Sequence, residues 1–171
     1  IYVGTDASYV WAVGAQGNAV MASAKLGDRE VSAAITQLRR ALDPGNVDFD
    51  AIPRFDSTLA HKLFVELLQP VAAGWKGANS LAIVPHRALG QLPFALLLTA
   101  PAPSTPAPAA LQFAEYRNLP WLVRSAAVTQ LPSVSTLVTL RRGAPGRADR
   151  APFIGFGDPV FSKQQMAAAA T

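Results

Sequence analysis

The sequence predicts an α/β fold. A mostly parallel sheet is flanked by helices and preceded by an antiparallel N-terminal hairpin. Three observations carry this. Short apolar runs bounded by turn residues, Ser80 to Val84, Ala126 to Leu131 and Phe153 to Phe156, have the length and content of strands in a parallel sheet. Apolar residues elsewhere recur at spacings of three and four, as on amphipathic helices that cover such a sheet. The first 24 residues hold two stretches rich in β-branched and aromatic types around a turn, Gly14-Ala15-Gln16-Gly17-Asn18.

The elements follow in order. Residues 2–14 and Ala19 to Ala24 read as one or two antiparallel strands. Asp28 is placed to cap a helix to about Leu42, with Val31, Ile35, Leu38 and Leu42 on one stripe and Arg39 and Arg40 near its negative end. Pro44-Gly45 ends it. A second helix starts at Asp56 or Ser57, buries Leu59, Leu63, Phe64, Leu67 and Leu68, and stops near Gln69 because Pro70 follows. Ser80 to Val84 is expected to be a central strand buried on both faces. Leu92 to Leu98 is a second apolar segment, made irregular by Pro93. Residues 100–110 are a Pro/Ala tract expected to form an exposed loop. Trp121-Leu122-Val123 reads as a short extended piece. Ser133 is the expected cap of a helix through Leu140, with Leu137 and Leu140 on one face. The alanine-rich stretch 162–171 reads as the start of a helix.

Composition narrows the chemistry. The 171 residues contain no cysteine. That excludes a disulfide scaffold, a thiolate nucleophile and a cysteine metal site within this sequence. Two histidines, His61 and His86, are too few for a histidine-built metal centre unless carboxylates complete it. Half of the residues are hydrophobic, but 32 are alanine, so the strongly apolar share is nearer a third, still enough for a core. No stretch reads as a membrane span: the long uncharged run from Ala88 to Ala114 is broken by prolines. The net charge of +4 gathers late, with Arg141, Arg142, Arg147 and Arg150 in one Gly/Pro-containing segment. No aromatic residue interleaves them as a stacking platform for nucleic acid requires, so a solvated loop is the simpler reading.

Individual candidates give little catalytic signal. His86 follows a strand in Val84-Pro85-His86-Arg87, where α/β proteins place sites, yet no nearby carboxylate orients it. It reads as a turn histidine, and His61 as solvent-facing. Gly155-Phe156-Gly157-Asp158-Pro159 lacks the third glycine and the helix of a dinucleotide fingerprint. It reads as a tight turn in which Asp158 bonds its own backbone. Ser133 and Ser135 lie outside any nucleophile elbow. No cofactor and no metal is implied.

Several segments together are more specific. Leu81 to His86, then Leu89, Leu92-Pro93-Phe94 and Leu97, resemble the signature of CHAT domains, caspase-like domains often joined to tetratricopeptide repeats. The resemblance continues in order through Pro120 to Val123, Ala127 to Pro132-Ser133, and Phe153 to Phe161 with Gly157-Asp158-Pro159, and the earlier helix ending Leu67-Leu68-Gln69-Pro70-Val71 matches as well. It spans residues 55–162, preceded by N-terminal strands and a helix over 1–45. Pro85, His86, Leu92, Pro93, Phe94, Pro132, Ser133, Gly157, Asp158 and Pro159 are its motif positions, read as structural. Arg87 stands where the family usually has glycine, so this turn is expected to differ.

The resemblance implies a caspase-like domain of the cysteine-peptidase type. A histidine and a cysteine form the family's dyad, and both lie beyond the Gly157-Asp158-Pro159 strand. Neither can be assigned to a position in this sequence. The expectation is therefore one partial domain over 1–171, from a larger cytoplasmic cysteine endopeptidase of bacterial type. It would be inert alone and marginally stable or self-associating, and the peptidase would act on protein or peptide. The alternatives are a non-catalytic CHAT-like interaction module and, more remotely, a basic nucleic-acid-binding domain using 141–150. No nucleic acid and no membrane partner is expected.

Overall fold

The computed structural model describes residues 1–103 and 113–143. The expected strand Phe153 to Phe156, the Gly157-Asp158-Pro159 turn, the helix over 162–171 and most of the Pro/Ala tract lie outside the described residues. The chain forms two compact units, Ile1–Arg141 and Arg142–Thr171. Of the second, only Arg142 and Gly143 are described.

The protein is mixed α/β. Strands β1 (Tyr2–Val3), β2 (Ser8–Val13) and β3 (Ala19–Ala24) form an antiparallel sheet in that order. The sequence pointed to one or two strands. A turn closed by the Gly4 amide on the Ala7 carbonyl, 2.9 Å, folds Tyr2–Val3 back as a third. Alternation along the strands sends Val3, Ser8 and Val10 into the core and leaves Tyr2, Tyr9, Trp11 and Met21 exposed. The one buried polar residue among these, Ser8, donates its hydroxyl to the Leu26 carbonyl at 2.6 Å. The β2–β3 turn needs Gly17, whose φ of +83° lies in the left-handed region that side chains resist.

Helix α1 (Asp28–Leu42) buries Val31, Ile35 and Leu38. Its cap is Gly27, and Asp28 is the first helical residue. A Cβ on residue 27 would sit 2.0 Å from the Thr5 carbonyl oxygen, so the close approach of the β1–β2 turn excludes any side chain. The Glu30 carboxylate accepts from the Gly27 amide at 3.1 Å.

Helix α2 (Ser57–Leu63) is capped by Asp56, whose carboxylate accepts from the Leu59 amide at 2.8 Å. It does not stop cleanly before Pro70. A π turn over Phe64–Leu68 and a 3₁₀ segment over Gln69–Gly74 continue it. Pro70 has no N–H to offer the Glu66 carbonyl, and the Gln69 amide reaches back to the Phe64 carbonyl instead. Leu63, Phe64, Leu67, Leu68 and Val71 are buried along this path.

Strands β4 (Ser80–Ile83) and β5 (Ala127–Gln130) pair in parallel, Ser80 opposite Ala127 and Ile83 opposite Gln130. The expectation that β4 is buried on both faces is not met. Ile83 is buried and Leu81 half-buried, while Ser80, Ala82, Ala127 and Thr129 are exposed on the other face. The small or polar side chains at those four positions suit an open face.

Between β4 and β5 the chain makes 3₁₀ turns over Arg87–Gln91, Phe94–Leu96, Ala114–Tyr116 and Leu122–Arg124. Leu89, Leu92, Phe94, Leu97, Leu98 and Leu122 join Val3, Leu38, Leu63 and Leu67 in one core cluster. Trp121 bridges to Leu98, and the Leu122 amide donates to the Leu97 carbonyl at 2.8 Å. Helix α3 (Val134–Arg142) follows β5 and buries none of its residues. Among the described residues, no helix is long and apolar enough to cross a membrane.

Candidate functional site

The most connected polar site lies at the carboxyl end of β4, where Val84-Pro85-His86-Arg87 meets β1 and the start of α1. The strand is registered by the Leu131 amide on the Ile83 carbonyl, 2.9 Å. Beyond it the chain turns inward, because Leu89, Leu92 and Phe94 are drawn into the core. That inward turn presents His86 to β1.

His86 is half-buried and engaged on two sides. Its Nδ1 accepts the Val3 amide at 3.1 Å. Its ring stacks on Tyr2, centroids 4.8 Å apart and planes 18° from parallel. A nitrogen that accepts from a backbone N–H carries a lone pair, so the neutral ring holds its proton on Nε2. His86 thus supplies the acceptor that the two-residue strand β1 would otherwise lack. The Ile1 nitrogen donates to the Val84 carbonyl at 2.9 Å alongside it.

Arg87 has a φ of +52°, the left-handed conformation that glycine adopts most readily. The arginine is accommodated there, and its guanidinium meets the Asp28 carboxylate at 2.8 Å. That pair links the turn to the first residue of α1, where a carboxylate also complements the helix dipole. Asp28, Tyr2 and Gln130 were not singled out as site residues by sequence. The Gln130 side-chain carbonyl accepts from the Phe94 amide at 3.4 Å, tying β5 to the same turn. All three matter through long-range contacts that no local pattern encodes.

Pro85 is half-buried in the turn, and Leu92 and Phe94 are fully buried on either side of Pro93. Pro132 is exposed. Ser133 Oγ accepts from the Thr136 amide at 3.1 Å and lies 2.7 Å from Ser135 Oγ, so it caps α3. Gly157, Asp158 and Pro159 lie outside the described residues. Arg141 and Arg142 are exposed in the last turn of α3, while Arg147 and Arg150 lie outside the described residues.

His61 departs from its solvent-facing reading. It is half-buried, its Nδ1 lies 3.0 Å from the Leu98 carbonyl, and its ring stacks against Phe64 with centroids 6.5 Å apart. A carbonyl only accepts, so here Nδ1 bears the proton, opposite to His86. The backbone at Leu98 thus approaches α2 at this ring.

A separate apolar pocket of about 410 Å³ is lined by Leu42, Ile52, Phe55, Leu96, Tyr116 and Trp121, among others. Two of its polar groups are engaged within the fold. The Tyr116 hydroxyl accepts from the Phe55 amide, and the Trp121 indole N–H donates to the Tyr116 carbonyl, both at 2.9 Å. Among the described residues no group of three His, Cys, Asp or Glu side chains could hold a metal ion.

The family model for the CHAT domain matches residues 57–171, two thirds of the chain. The chain belongs to the CHAT-domain family. The match begins at the first residue of α2 and takes in β4, the His86 turn, β5 and α3, so the part of the buried core from α2 onward is CHAT scaffold. The N-terminal sheet and α1 precede it, and they supply the acceptor's donor, Val3, and the partner of Arg87. No match is found among curated proteins or among solved structures.

Proposed function

We propose that this chain is the scaffold portion of a CHAT-type cysteine endopeptidase domain, and that its own side chains do not cleave the substrate. The observation that carries this is the state of its histidines in a sequence without cysteine. His86 gives Nδ1 to the Val3 amide, and His61 lies against the Leu98 carbonyl. Both are committed to holding backbone. The nucleophilic thiol and its histidine are then supplied by sequence outside these 171 residues. That thiolate attacks the peptide carbonyl, histidine delivers a proton to the leaving amine, and water releases the acyl group. The scaffold's part is rigidity: it fixes the parallel pair β4–β5 on whose carboxyl side α/β proteins place their chemistry.

The absence of cysteine also favours a second reading, a CHAT-like module that binds protein without cleaving it. The two are separated by assaying the protein as its host makes it against a peptide library, with and without iodoacetamide. Peptide hydrolysis abolished by alkylation supports the peptidase. Peptide binding without alkylation-sensitive hydrolysis replaces it with the interaction module.

A further inference from the structure

Strand β3 ends the sheet order, and among the described residues no strand pairs with its outer edge. In an antiparallel pair, alternate residues turn their N–H and C=O to the partner strand and the rest turn theirs away. The Gly14 amide donates to the Asn18 carbonyl at 2.9 Å. Counting from that bonded pair, Val20, Ala22 and Ala24 face β2, and Ala19, Met21 and Ser23 point their backbone groups outward. These outward groups have no partner among the described residues.

Native proteins guard such edges with charges, prolines, bulges or a covering element. Ala19–Ala24 has no charged residue and no proline, and it runs in unbroken register with β2. Ala19, Met21 and Ser23 are exposed.

The geometry points to a second copy of this chain as the occupant, paired antiparallel, β3 to β3, about a two-fold axis through Met21. The register is self-complementary. Met21 faces Met21 of the second copy, Ala19 faces its Ser23, and Ser23 faces its Ala19. Three facing pairs, each exchanging two backbone bonds, satisfy every outward group. Charge permits it. The nearest charged side chain, Lys25, falls opposite Gly17 of the second copy. The two Lys25 residues then lie eight strand positions apart, about 27 Å at the usual rise per residue and beyond screening range. The exposed face joins as well: Met21 pairs with Trp11, whose ring stacks on Tyr9 at 6.3 Å. The ladder extends that apolar strip across both copies, whereas a charged peptide finds no complementary side chain along the edge.

The test is amide hydrogen exchange with sedimentation across a concentration series of the protein. The Ala19, Met21 and Ser23 amides should exchange freely when dilute and become protected as a dimer forms. Met21→Lys sets two like charges face to face at the axis and should weaken association about tenfold or more. Met21→Pro removes an outward donor without touching the ladder to β2 and should abolish association. Dimerisation unchanged in Met21→Lys overturns the proposal. So does protection at the three amides that is independent of concentration, which would place another strand of the same chain there. A protein that stays monomeric with all three amides unprotected overturns it too.

Discussion

Two stretches of the CHAT-matching region invert the usual relation between regular structure and burial. Residues 84–98 contain no strand and no α-helix, only 3₁₀ turns, yet Leu89, Leu92, Phe94, Leu97 and Leu98 are fully buried. Residues 127–142 hold strand β5 and helix α3, yet α3 buries nothing and Leu140 is 66 % exposed. Burial of apolar area stabilises a fold whatever backbone carries it, whereas each exposed backbone hydrogen bond only exchanges a bond to water and adds little net. The irregular stretch is therefore expected to carry more of the stability than the regular one.

The largest expected effect breaks this comparison if it fails. Phe94→Ala should cost about 3–5 kcal/mol, because it empties a fully enclosed site. Leu140→Ala should stay within about 0.5 kcal/mol, as exposed substitutions do. Urea unfolding midpoints measure both, and similar losses would refute the contrast. Next comes His86→Ala, which leaves the Val3 amide without its acceptor and should cost about 1–3 kcal/mol. Faster exchange of the Val3 amide in that variant would localise the loss. In the native protein, nitrogen NMR should show the proton of the neutral His86 ring on Nε2.

Ser133→Ala removes the cap of α3 and should cost about 1 kcal/mol, with Ser133→Asp restoring it. Fraying of the first turn of α3 by amide exchange is the local readout. Replacing Arg87 by glycine should have a small net effect. Arg87→Gly relieves a left-handed conformation worth about 1 kcal/mol but gives up an exposed ion pair worth roughly 0–1 kcal/mol. The midpoint should move little, and upward if at all. Arg87→Val, which loses the pair and resists the conformation, should be clearly destabilised.

Local signals made much of this legible. The stripes of α1 and α2, the hairpin turn, the Asp56 and Ser133 caps and the irregular start at Pro93 are short-range effects of spacing and side-chain chemistry. The misreadings share a cause. Gly27 displaces Asp28 as cap because the Thr5 carbonyl approaches from another element. His61 is half-buried instead of solvent-facing because the Leu98 carbonyl, 37 residues away, meets its ring nitrogen. Ala82 stays exposed because a continuous apolar run does not say which face meets the core.

By itself the sequence determined the mixed α/β class, the order of elements, the family motif and the absence of a thiol from these 171 residues. Those properties are written in residue types and their periods. Tertiary structure decided what the motif residues do. It set the opposite proton positions of His61 and His86, placed Arg87 beside Asp28, and left the edge of β3 without a paired strand among the described residues. Each depends on which distant backbone groups meet, and hydrogen-bond partners dozens of residues apart leave no trace in a local pattern.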